Sequence, residues 1–169
     1  MVLRADVIDT AINDCFKKDR PLIYFSPKGK PLNQDTIEKF SSTKGVSIIC
    51  GHFEGIDQRI IDLHDIEEIS IGDYILSGGE IATIVFLDSL VRLLPDVLGN
   101  NNSKKIESFT DGLLEYPQYT KPNEFKGMKI PDILLSGNHK AIKEWQENQA
   151  LSLTKLRRPD LIDKKKDKI

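Results

Sequence analysis

Three short stretches hold the residue types that could do chemistry: Ser26-Pro27-Lys28-Gly29, Gly51-His52-Phe53-Glu54-Gly55, and Gly72 through Gly79. The last lies within SIGDYILSGGE, residues 70–80. Glycines at such density suggest a phosphate cradle, and the spacing argues against one. A P-loop needs GxxxxGK[ST], whereas SGGE has no lysine to reach a phosphate, and a GxGxxG turn after the first strand is also absent. Glu80 would set a negative charge beside any phosphate, and it already supplies the anion that a helix N-terminus favours. What remains is a pocket walled by backbone amides and small side chains, where glycine lets the backbone approach a ligand closely. Such a pocket suits a neutral or zwitterionic ligand with an adenine-like edge. Turn-making alone would account for the glycines of any one loop, and the pattern by itself leaves the ligand unnamed.

The elements that must position these loops follow from hydrophobic periodicity. Residues 4–17 carry Val7, Ile8, Ala11, Ile12 and Cys15 on one helical stripe. Residues 22–25 form a short buried strand stopped by Ser26-Pro27 and Gly29. NQDTIEKF is a helix capped by Asn33 or Asp35. VSIIC is a second strand ended by Gly51, EGIDQRIIDLH a helix, and EEISIG a third strand. Residues 80–94 form a helix that Pro95 terminates. Strands alternating with helices predict an α/β domain with a mostly parallel sheet. Ligands of open α/β sheets bind beyond the carboxyl ends of the strands, so the three loops are expected to build one pocket.

Beyond Pro95 the composition shifts. Residues 99–131 are rich in Gly, Asn, Ser, Pro and Thr and predict a long functional loop or linker. SGNHKAIKEWQENQALSLTKLRRPDLI predicts a capped helix and a second one from Pro159, followed by a charged, solvated tail. The expected division is 1–98, 99–131 and 132–169, the last a small helical domain. Across the 169 residues the net charge is −2, so any nucleic-acid contact must come from a local basic patch. Cys15 and Cys50 are isolated; with no CxxC or Cys/His cluster they predict buried thiols in a reducing cytoplasm and no zinc site. The N-terminus shows no apolar signal segment, and no stretch reaches the length of a membrane span.

Seven stretches in order, IYFSPKGKPL, ICGHFEGIDQR, EEISIGDYILSGGE, DSLVRLLPDVLG, ESFTDGLLEYPQYTKP, PDILLSGNH and KLRRPDL, closely resemble the bacterial tRNA (guanine-N1)-methyltransferases, which act on guanosine 37 beside the anticodon. The pairing of GxxEGIDxR with SIGDYxLSGGE is specific, and the resemblance runs from about Val2 to Leu161. It implies a SPOUT-type α/β domain with a deep trefoil knot, an exception to the rule against threaded chains. It also implies S-adenosylmethionine as methyl donor and a homodimer whose sites are built from both subunits. The apolar helix 81–94 fits a subunit interface.

By position, the resemblance assigns the cofactor wall to Tyr24, Phe25, Ser26, Pro27, Gly51, Phe53, Glu54, Gly55, Ser70, Ile71, Gly72, Tyr74, Leu76, Gly78 and Gly79. Transfer to N1 requires loss of its proton, hence a general base, and a cation to stabilise charge at O6. The matching residues are Glu107 and Arg92. Glu107 stands where the family has Asp, adding one methylene of reach. Read alone, Glu107 is a loop carboxylate and Arg92 an i,i+4 partner of Asp88. Asp111 and Glu115 are weaker candidates for the base or for Mg²⁺, and His52 is a further candidate base. His52 and Phe53 replace the commoner Arg and Tyr. Lys121, Asn138, His139, Lys155, Arg157 and Arg158 are expected to meet tRNA phosphates, which position without specifying.

The resemblance also places a strand, a helix and a Gly-rich loop ahead of the position matching Met1, so an open sheet edge and exposed apolar surface are expected. It further gives the family a longer C-terminal domain. Two alternatives follow: a cofactor-binding module without catalysis, and a knotted methyltransferase acting on rRNA. The SIGDYILSGGE and RRPDL stretches argue against the second.

Overall fold

Alternation along residues 22–25 divides the core. Leu22 and Tyr24 face one side of the sheet, Ile23 and Phe25 the other, because successive strand side chains point to opposite faces. These residues open β1 (Leu22–Pro31), the middle strand of a three-stranded sheet ordered β2-β1-β3. β2 (Ser47–Ile49) and β3 (Glu67–Ser70) both run parallel to it. This computed structural model describes residues 1–95, 97, 107–109 and 111–166, in two compact units, Met1–Gly99 and Asn100–Ile169.

In the first unit, α1 (Ala5–Cys15) and α3 (Gln58–Leu63) bring Ile12, Ile60 and Ile61 against Leu22 and Tyr24. On the opposite face, α2 (Gln34–Ser41) and α4 (Glu80–Val91) bring Ile37, Phe40, Ala82 and Phe86 against Ile23, Phe25 and Ile69. Phe86 is fully buried; its ring lies 5.4 Å from Phe40, edge-on, and 5.7 Å from Phe25, the offset geometries that aromatic quadrupoles favour. Asn33 is the cap of α2, its Oδ1 accepting from the Thr36 N–H at 2.9 Å. α4 is apolar around its whole circumference: Ala82 and Phe86 are buried while Ile81, Ile84, Val85, Leu87 and Val91 remain exposed.

Several expectations need correction. β1 does not stop at Phe25. Phe25 and Lys30 both pair with Ile69, so residues 26–29 bulge out of the ladder before it resumes. α4 ends at Val91 rather than 94, because the chain tightens ahead of Pro95: the Leu93 and Leu94 N–H groups donate to Leu90 and Val91. Cys15 ends α1 and is exposed, not buried; Cys50 is half-buried, with Sγ 3.2 Å from Thr83 Oγ1. β2 is an outer strand, and beside it an apolar groove of about 340 Å³ is lined by Ile8, Ile12, Phe16, Leu22 and Ile48 among others.

The expected boundary at 98/99 and residues 99–106 and 110 of the expected linker lie outside the described residues. The rest of that linker holds more structure than its composition predicts. β4 (Glu124–Phe125) and β5 (Met128–Lys129) pair as an antiparallel hairpin. Lys126 and Gly127 turn it with φ of 50° and 80°, the double positive φ of a type I′ turn. α5 (Asp132–Leu135), α6 (His139–Arg157) and α7 (Pro159–Lys166) follow. Asn138 caps α6, its Oδ1 accepting from the Ala141 N–H at 3.2 Å. Thr154, fully buried in α6, donates to the Ala150 carbonyl and accepts from the Leu114 N–H at 2.9 Å, fastening the preceding loop to the helix.

Candidate active site

The bulge after Phe25 raises the first loop over the sheet end. Ser26 is buried, and its Oγ accepts from the Lys28 N–H at 3.2 Å, closing the turn. The second loop, 51–55, is held from two sides. Residues 1–3 run along it, with the Leu3 N–H donating to the Gly55 carbonyl at 2.9 Å and the Glu54 N–H to Met1 at 3.1 Å. The third loop lies against it: the Gly79 N–H donates to the Gly51 carbonyl at 2.9 Å, and Gly78 bridges His52 in antiparallel fashion. At Gly79 a Cβ would lie 3.1 Å from Cys50 Cα, so this backbone contact leaves little room for a side chain. Ser70 starts the third loop, with Oγ engaging both the N–H and the carbonyl of Gly72.

Together these loops enclose a cavity of about 280 Å³ at the carboxyl end of the sheet. Tyr24, Phe25, Ser26 and Pro27 line it from the first loop, and Gly51, Phe53, Glu54 and Gly55 from the second. Ser70, Ile71, Gly72, Tyr74, Leu76, Gly78 and Gly79 line it from the third. Every residue that the resemblance assigned to the wall therefore lines this one cavity. His52, weighed as a candidate base, also lines the cavity, and so do Lys28, Ile56, Ile75 and Ser77, which were not assigned to the wall; for Lys28, Ile75 and Ser77 the one available signal was position inside the same loops. Phe53 and Tyr74 are well exposed at the rim, and Phe53 adopts φ of 60°.

The electrostatics have local causes. His52 Nε2 lies 3.1 Å from Glu80 Oε1, tying the second loop to the first turn of α4. Burial pushes the Tyr24 phenol pKa up, helped by the Glu68 charge, against a backbone hydrogen bond at Ile56. Asp57 is held at about 2, chiefly by its side-chain hydrogen bonds with Arg59. Its Oδ1 accepts from the Arg59 N–H and Nε, its Oδ2 from Nη2 at 2.7 Å. The Asp-x-Arg of the EGIDQR stretch thus caps the start of α3. Among the described residues, no group of three or more His, Cys, Asp or Glu side chains could hold a metal ion.

Residues 1–164 match the family model described as tRNA (Guanine-1)-methyltransferase TrmD. The chain belongs to this family. It is 52% identical to a protein of Bartonella tribocorum over 161 residues, 95% of this chain and 69% of the relative. It is 52% identical to one of Gluconobacter oxydans over 164 residues (96% and 70%), and 51% identical to one of Pelagibacter ubique over 166 (98% and 73%). All three relatives are named tRNA (guanine-N(1)-)-methyltransferase.

The remaining expected site residues of this methyltransferase-family chain fall in both units. Arg92 is the C-cap of α4 and exposed, in the first unit. Glu107 is half-buried in the second, at the start of a compact turn in which the Phe109 N–H donates to the Leu113 carbonyl at 2.7 Å. Asp111 is exposed; Glu115 accepts from the Gln118 side chain. Of the expected RNA contacts, Asn138 spends its side-chain oxygen on the α6 cap, and Arg158 holds Asp160 through two bonds of 2.8 and 2.7 Å. Lys121 and His139 are exposed, as are Lys155 and Arg157 in the last turn of α6, where the helix dipole favours cations. Among the described residues no helix is long and apolar enough to cross a membrane.

Proposed function

We propose that this chain transfers a methyl group from S-adenosylmethionine to N1 of guanosine 37 in tRNA. The observation that carries the reading is the one cavity that the three loops form together, all within the residues that match the family model. Its walls suit the donor: the Tyr24 ring, small side chains, and backbone at Gly51 where a Cβ would intrude. Bound there, S-adenosylmethionine supplies an activated methyl carbon. The backbone contact between the second and third loops at Gly51 and Gly79 supports the trefoil knot that the family resemblance implies.

Glu107 is the proposed base that removes the N1 proton, and Arg92 the cation that stabilises charge developing at O6. Residues 1–98 form the cofactor domain, 99–131 the substrate loop, and 132–169 the tRNA-binding helices, with Lys121, His139, Lys155, Arg157 and Arg158 facing phosphate and Asn138 shaping the helix start. The exposed apolar flank of α4, with Ile81, Ile84 and Val85, suits burial in a homodimer. A tRNA-modifying enzyme of this kind works in the cytoplasm. The module without catalysis has no support, since the relatives carry methyltransferase names.

Calorimetric titration with S-adenosylmethionine, with mass measured in solution, tests the reading. One saturable site per chain in a dimer is expected; a folded protein with no binding contradicts it.

A further inference from the structure

The β4–β5 hairpin holds a surface that neither the fold nor the cavity uses. Phe125 and Met128 are directly paired across it, so their side chains share one face. They are 58% and 69% exposed. Lys126 Nζ lies 5.5 Å from the centre of the Phe125 ring, within cation–π range. The opposite face carries the Glu124–Lys129 ion pair at 3.7 Å. All of residues 118–129 are exposed. An isolated two-stranded hairpin is marginal in water, and here the turn shape, not packing, sets the conformation, with positive φ at both Lys126 and Gly127. The segment 121–130 carries Lys121, Lys126 and Lys129 against the single acid Glu124.

We propose that this hairpin is a stacking platform for an unpaired base of the tRNA, with Phe125 under the base and Lys126 on its phosphate. The proposal rests on the reading of the chain as a tRNA-acting enzyme. The occupant follows from chemistry. An apolar partner alone would not need a lysine beside the ring, whereas a nucleotide offers a flat π-face and an anionic phosphate side by side. Base–aromatic stacking tolerates any base, so the platform would add grip and orientation without reading sequence.

The test is binding of a tRNA transcript bearing guanosine at 36 and 37, across a salt series, by the full chain and its variants. Phe125→Ala is expected to weaken binding roughly tenfold with the salt slope unchanged, and Phe125→Trp to restore it. Lys126→Ala is expected to reduce the slope by about one. Both positions are exposed, and circular dichroism and S-adenosylmethionine affinity should match the parent. Parent-like tRNA binding by Phe125→Ala overturns the proposal, as does an equal loss in Phe125→Ala and Phe125→Trp. A change of molecular mass in Phe125→Ala with tRNA affinity intact assigns the face to a protein contact and also overturns it. These outcomes leave methyl transfer by the parent chain intact. Failure of the parent itself to bind tRNA would remove both this proposal and the reading beneath it.

Discussion

The Tyr24 ring stands against Gly51: a Cβ at that glycine would lie 2.7 Å from Tyr24 Cε2 and 2.9 Å from the phenol oxygen. Tyr24 is buried in the core shared with Ile12 and Ile60, so the ring cannot yield without disturbing that core. Gly51→Ala must therefore displace the second loop away from Tyr24, and both line the cavity. We expect S-adenosylmethionine affinity to fall at least about tenfold, with far-UV circular dichroism unchanged, because one methyl group is felt in a close-packed region. Calorimetry on the variant checks this, and parent-like affinity would contradict the cofactor assignment.

Glu107→Gln keeps shape and removes basicity. Turnover should fall by about 10²–10⁴ while cofactor affinity stays within about twofold. Single-turnover methyl transfer beside calorimetry separates the two, and unchanged turnover would exclude Glu107 as the base.

Thr154 accepts the Leu114 N–H and so fastens the loop that begins at Glu107. Thr154→Val leaves that half-buried amide without its acceptor, a loss of about 1 kcal/mol. Hydrogen exchange at Leu114 should accelerate strongly, with exchange in β1 unaltered. Unchanged protection at Leu114 would show that the loop is held elsewhere.

Asp57 links stability to pH. Its folded pKa of about 2 lies below the ordinary carboxylate value. A depressed acid stabilises the fold fully above its unfolded pKa and loses that contribution as pH falls through the folded one. The difference in urea midpoint between the parent and Asp57→Ala should be constant from neutrality to about pH 4 and shrink towards pH 2. A difference that grows on acidification would contradict the capping role.

The parallel sheet and its flanking helices were legible from periodicity, and a pocket at the strand ends from three glycine-rich loops; the residues of its wall came only from the family resemblance. The bulge at 26–29 was not, since two positions pairing with Ile69 is a property of register that a single strand does not display. The hairpin escaped for a similar reason: Lys126-Gly127 makes the turn without the Asn-Gly or Asp-Gly pair that signals it. The exposed Cys15 escaped because its position on the apolar stripe of α1 could not show that the helix ends there. Asp57 and Arg59 were legible as part of a motif, but their role as a cap emerged only from geometry.

The most direct measurement is transfer of labelled methyl from S-adenosylmethionine to tRNA by this chain, with guanosine or adenosine at position 37 and guanosine at 36. The account predicts label recovered as N1-methylguanosine from the guanosine 37 transcript and background from the other. Equal labelling of both, or none by a chain that binds cofactor and tRNA, would contradict it.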